Sequence, residues 1–156
     1  MPFDIGPAAS LSVSIAALVI SAISLRRSSR RDEHKRSMEA ARLHQLFWSA
    51  PLDGDRQVVS SLLDDDIEPL LESYTRNTSE WVRERRAVAR IGYFFSDIDS
   101  LIEHDVVDSH LARKLLHDAH FLYFDRLFVP IAQRAGSEVG WIDGVRSLRR
   151  RWIRRN

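Results

Sequence analysis

The side chains best equipped for chemistry are histidines, aspartates and arginines that fall in clusters. His117 and His120 stand three apart, the spacing that puts two imidazoles on one helix face, and Asp118 lies beside them; imidazole and carboxylate together can hold a divalent metal. The set is incomplete. Asp118 follows His117 directly and so points elsewhere on a helix, the chain has no cysteine, and no HExxH pattern occurs. Asp64, Asp65 and Asp66 are also candidate ligands, but consecutive helix positions diverge by about 100°. Capping a helix that begins near Ile67 or Glu68, with Pro69 in its first turn, suits them better. No GxGxxG, P-loop or GxSxG pattern is present. The expectation is a non-enzyme with no catalytic residue, no cofactor and no metal.

The arginines carry the clearer signal. The net charge of +1 conceals segregation, because Arg26 to Arg36 and Arg146 to Arg155 are basic while Asp53 to Glu72 holds seven acids against Arg56 alone. The first basic cluster directly follows Ile5–Leu25, IGPAASLSVSIAALVISAISL, about twenty residues without a charge. A helix of that length measures roughly 30 Å, the thickness of a bilayer's hydrocarbon core. The reading is a transmembrane span within an N-terminal segment 1–25. No Lys or Arg precedes the apolar run, which argues against a cleaved signal. The charges after it place the C-terminal bulk in the cytoplasm and the N-terminus outside.

Within the span, Ser10, Ser14, Ala17, Ser21 and Ser24 follow a 4-3-4-3 spacing that gathers small residues into one stripe. Such a stripe lets a second helix approach closely, so it is a candidate homo-oligomer face; the alternative is that the hydroxyls bond back to their own helix. Residues 26–50 read as a basic juxtamembrane helix, with Arg26, Arg27, Arg30 and Arg31 at the anionic lipid headgroups, each worth about 1 kcal/mol there. Pro51 and Asp53-Gly54-Asp55 are expected to end it.

A helical bundle is expected over 51–136. Asp55–Arg76 should form two short helices with a bend at the aspartates. A long helix over about Ser79–Glu103 follows from Trp81, Val88, Ile91, Phe95, Ile98 and Ile102. Arg83 to Arg86 fall on its opposite, solvated face, and Arg90 and Asp97 at the stripe's edge are placed to pair with neighbouring helices. Asp108 or Ser109 should cap the next helix, Ser109–Arg134, which Pro130 should kink and Gly136 should stop. The short connection makes these two helices an antiparallel hairpin at the centre of the bundle.

The tail 137–156 spaces Trp141, Val145, Leu148 and Trp152 at 4-3-4, with Arg149, Arg150 and Arg151 among the arginines on its other faces. That is a basic amphipathic helix. It can lie on an anionic membrane with Trp141 and Trp152 at the interface, or pack on the bundle with its arginines solvated. Phosphate binding without base reading is the weakest of the three options.

The stretch Arg90–Gly136, RIGYFFSDIDSLIEHDVVDSHLARKLLHDAHFLYFDRLFVPIAQRAG, resembles an uncharacterised bacterial family of small single-span membrane proteins with a helical cytoplasmic domain of unknown function. The shared cues are an aromatic helix, an acidic turn near Val107-Asp108 and an aromatic run before Pro130, and the similarity extends over about half of the chain. Phe124 stands where tryptophan would be expected. These are packing motifs: the resemblance implies an architecture and a bacterial inner-membrane setting, and carries over no catalytic residue.

The sequence thus reads as an all-α chain, one transmembrane helix followed by a cytoplasmic bundle, acting as a membrane-anchored scaffold for an unknown protein partner or for itself. A holin-like oligomerising effector and a tethered non-specific nucleic-acid binder stand as alternatives.

Overall fold

Val88, Ile91, Phe95, Ile98 and Ile102 recur at the three-to-four spacing that collects side chains on one helix face, and in the structure all of them are buried on helix α4, Val82–Glu103. The computed structural model describes the backbone of residues 7–76, 80–135 and 139–153, and the side chains of these from residue 24 onward together with Ser21. Within that description the chain is all-α. The remaining elements are α1 (Pro7–Trp48), α2 (Ala50–Asp64), α3 (Glu68–Arg76), α5 (Ser109–Tyr123), a π-helical turn (Phe124–Phe128), α6 (Val129–Ala135) and α7 (Ile142–Ile153).

The chain divides into two units, 1–35 and 36–156. In the first, α1 is helical from Pro7, and its side chains from Ser24 to Lys35 are exposed. Among the described residues no helix is long and apolar enough to cross a membrane. The expected span, Ile5–Leu25, falls almost entirely on residues whose side chains lie outside that description.

The second unit is the bundle, and its limits differ from the expected 51–136. It takes in the end of α1, where Ala40, Leu43 and Phe47 are buried, and it takes in α7. The expected break at Pro51 is also displaced. Ser49 alone interrupts the helix, and Pro51 lies in the first turn of α2, where a missing N–H costs nothing because that donor has no intrahelical acceptor. Gly54 continues the helix.

The bend between α2 and α3 falls at the aspartates, as expected, and Asp66 Oδ1 accepts the Glu68 N–H at 3.0 Å. After α4, Asp105 sits in the left-handed region at φ 58°. Its N–H bonds to the Ile102 carbonyl while that of Val106 reaches Leu101, the paired hydrogen bonds that close a helix C-terminus. An ion pair from Arg36 to Asp105, and the Asp108 N–H on the Arg36 carbonyl, tie this turn to α1. Asp108 then caps α5 by accepting from the Leu111 N–H at 2.8 Å.

Pro130 acts differently from a simple kink. A proline inside a helix has no N–H and crowds the carbonyl four residues back, here that of Arg126. The turn before it widens by one residue, so that the Val129 N–H bonds to Phe124, and the chain continues as α6. Gly136, the expected stop, lies outside the described residues.

Packing centres on α4, although not as the expected hairpin. α4 and α5 meet through large rings, with Phe95 against His120 and Tyr123. The most extensive packing of α4 is on α7 and α2, and that of α3 is on α6. Two glycines allow the α4–α7 approach. A Cβ on Gly92 would lie 2.6 Å from Trp141 Cε3, and one on Gly144 would lie 2.8 Å from Ser96 Cβ. Gly92→Ala and Gly144→Ala should each destabilise the fold by roughly 1–3 kcal/mol through overpacking. Gly54→Ala, in open space on α2, should stabilise by roughly 0.5–1 kcal/mol from helix propensity. Urea denaturation of the three variants checks the opposite signs.

Candidate functional site

Arg26, Arg27, Arg30 and Arg31 are all exposed on α1. Their spacing forms two adjacent i, i+4 rows, so one broad face of the helix is cationic. The acids nearby do little to neutralise it, since Lys35 rather than an arginine approaches Asp32, at 4.0 Å. Leu25, immediately upstream, is 77% exposed. Of the small-residue stripe, Ser21 and Ser24 are exposed, while the side chains of Ser10, Ser14 and Ala17 lie outside the described residues.

The basic tail is not a surface helix with tryptophans at an interface. Trp141 is 2% exposed and Trp152 0%, and both belong to the bundle core with Ile142, Val145 and Leu148. The physical reason is room and area. Gly92 leaves a slot for the Trp141 indole, and burial of a ring of 150–250 Å² against other side chains is a larger gain than a half-wet headgroup contact. The arginines divide in consequence. Arg149 stacks over Phe121 at 3.4 Å from the ring centre and reaches Asp125 at 3.2 Å. Arg151 Nε donates to Asp99, a buried acid, at 3.0 Å. Arg150 alone of these three is exposed, so Arg149 and Arg151 are struts of the fold rather than a lipid-facing patch.

Other arginines serve the same purpose. Arg90 pairs with Asp55, as its position at the stripe's edge suggested, but the acid of α4 that takes a partner is Asp99, and Asp97 is exposed. Arg126 donates to the Leu63 carbonyl at 2.7 Å, placing a cation at the C-terminus of α2.

The histidine pair is divided between two environments. His117 Nδ1 lies 3.1 Å from Asp118, and its ring is 3.8 Å from that of Phe121. His120 has no exposed surface and sits among Phe95, Phe121, Phe124 and Trp152, with ring centres 5.0–5.8 Å away. Among the described residues no group of three or more His, Cys, Asp or Glu could hold a metal ion. Neither ring nitrogen of His120 has a well-formed hydrogen bond within the described residues, nor do Trp152 Nε1 and one Arg149 guanidinium nitrogen. Burial is the main cause that lowers the His120 pKa, to about 3, and the Arg149 cation adds to it; the Val145 carbonyl opposes and His117 contributes least. This polar seam between α5 and α7 was not legible from the sequence, where His120 stood out only as half of an incomplete ligand pair with His117.

Comparison with protein-family models, curated proteins and solved structures finds no match.

The buried histidine makes a pH prediction. Unfolded, His120 takes up its proton near pH 6.5; folded, it does so only near 3. Between those values the unfolded state holds the extra proton, so stability falls as pH drops through this window and gains nothing from His120 above it. The linkage amounts to roughly 2 kcal/mol between pH 7 and pH 5. His120→Phe should remove that part of the pH dependence, measured as the difference between variant and parent unfolding free energies at the two pH values.

Proposed function

We propose that this chain is a membrane-anchored interaction protein: the uncharged run Ile5–Leu25 crosses the bilayer, the arginines that follow hold the anionic headgroups, and the bundle is presented to a protein partner or to a second copy. One observation carries the reading. Helix α1 runs unbroken from Pro7 to Trp48, joining the uncharged run and the exposed arginines to residues that form the bundle core. Anchoring then raises the effective concentration of the bundle for other membrane-bound partners.

The bundle's own features support binding over catalysis. Its paired arginines join helices to one another, and its most perturbed histidine is sealed in the core. The proposed setting is a bacterial inner membrane, single-pass, with the N-terminus outside and the bundle in the cytoplasm, following the distribution of Lys and Arg. The stripe Ser10, Ser14, Ala17, Ser21 and Ser24 would make the span the natural place for two copies to meet.

The test is extraction and topology in bacterial membranes. The protein should stay in the pellet after carbonate washing, and a reporter fused after Asn156 should report the cytoplasm. Release into the supernatant would reject the anchor, and a periplasmic reporter would reject the orientation. Replacing Arg26, Arg27, Arg30 and Arg31 together by glutamine should shift a measurable fraction of the reporter to the periplasmic side, since each arginine contributes about 1 kcal/mol at an anionic surface.

A further inference from the structure

Between the last turn of α3, one face of α4 and the residues that lead into α7 lies a half-open hollow of about 640 Å³. That is the size of many small-molecule sites. Arg85, Arg86, Ala89 and Tyr93 reach it from positions three to four apart on α4, so a single helix face supplies both its charge and its hydroxyl. The α7 side supplies Val139 as apolar surface, with the nearly buried Trp141 indole behind it. None of the described residues that line the hollow is acidic.

The groups sort by role. Arg85 Nη1 donates to the Ser73 carbonyl at 3.1 Å, and its guanidinium lies 5.9 Å from the centre of the Tyr74 ring, which fixes its charge at the wall. Arg86 is exposed and makes no ion pair with any described residue. Tyr93 is half exposed, and its hydroxyl is close to Gly140, where an added Cβ would stand 3.2 Å from it. A guanidinium fork with no ion-pair partner among the described residues, beside a phenol donor and above an apolar floor, matches one planar monoanion on an apolar body. A phosphate dianion would call for more available donors than Arg86 and Tyr93 provide. Burial pushes the Tyr74 phenol up to about 12, so that wall stays neutral and does not repel an anion.

We propose that the hollow between α3, α4 and the start of α7 is a binding site for a small amphiphilic carboxylate, held by Arg86 and Tyr93 with its apolar body on Ala89 and Val139, next to Trp141. The site stands independently of the membrane anchor.

The experiment uses the full chain in lipid nanodiscs, with empty nanodiscs as the blank. 4-Phenylbutyrate is the charged probe and 4-phenylbutanamide its neutral counterpart. Binding is read from the Trp141 indole N–H resonance, assigned through Trp141→Phe. The carboxylate should shift that resonance saturably, and the amide should bind about tenfold more weakly, the loss expected for one charge-assisted hydrogen-bond pair. Arg86→Gln, an exposed change whose fold is checked by its melting temperature, should weaken the carboxylate about tenfold and leave the amide unchanged. No saturable shift, equal affinity for acid and amide, or an Arg86→Gln variant that binds the carboxylate like the parent would overturn the assignment.

Discussion

The bundle depends on how closely α7 can approach α4. Two helices pack at a distance set by the side chains at their crossing, and glycine at the contact brings the backbones together. Gly92 on α4 and Gly144 on α7 meet Trp141 and Ser96 respectively, at separations that leave no room for a methyl group. That approach seats Trp141 and Trp152 in the core and brings Arg151 to Asp99. An ion pair with one buried partner adds little net stability of its own, but it disfavours any arrangement that would leave Asp99 without a cation. The apolar contact supplies the energy and the charges select the register.

The same approach explains why the basic tail is not free for lipid. Arg149 is held between the rings of Phe121 and Phe124 and the carboxylate of Asp125, so its charge is spent within the bundle. It also places a cation near His120, which sits against Trp152. On α1, by contrast, Arg26, Arg27, Arg30 and Arg31 are all exposed and lie close together in sequence. The proposed division of labour follows: the N-terminal arginines face the headgroups, while Arg149 and Arg151 hold the bundle together.

Much of this was legible because some patterns have a single physical solution. The apolar spacing of α4 can only be satisfied by burial of one face, and Asp108 before an apolar run is a strong helix start. The aspartate triplet with Pro69 likewise has few uses other than a bend and a cap. Other patterns had two solutions. Pro51 can follow a helix or sit in the first turn of one, and only the interruption at Ser49 decides. Asp97 and Asp99 both lie near the edge of the α4 stripe, and the position of Arg151 selects Asp99. Arg85 lies on the face expected to be solvated, yet it is half buried against Tyr74. The tail's amphipathic pattern fits a membrane surface as well as a protein one, because both offer an apolar phase. The deciding residue, Gly92, sits 49 positions upstream of Trp141 and signals nothing without its partner. The π turn before Pro130 is similarly a response to three-dimensional crowding that spacing does not encode.

The basic C-terminal helix belongs to the bundle core through Val145, Leu148 and Trp152. Hydrogen–deuterium exchange of the full chain, with and without anionic vesicles, tests this placement directly. The α7 amides should exchange as slowly as those of α4, at a rate that vesicles leave unchanged. Fast exchange of α7 that becomes slow only when anionic vesicles are added would show instead that this helix packs on lipid and not on α4.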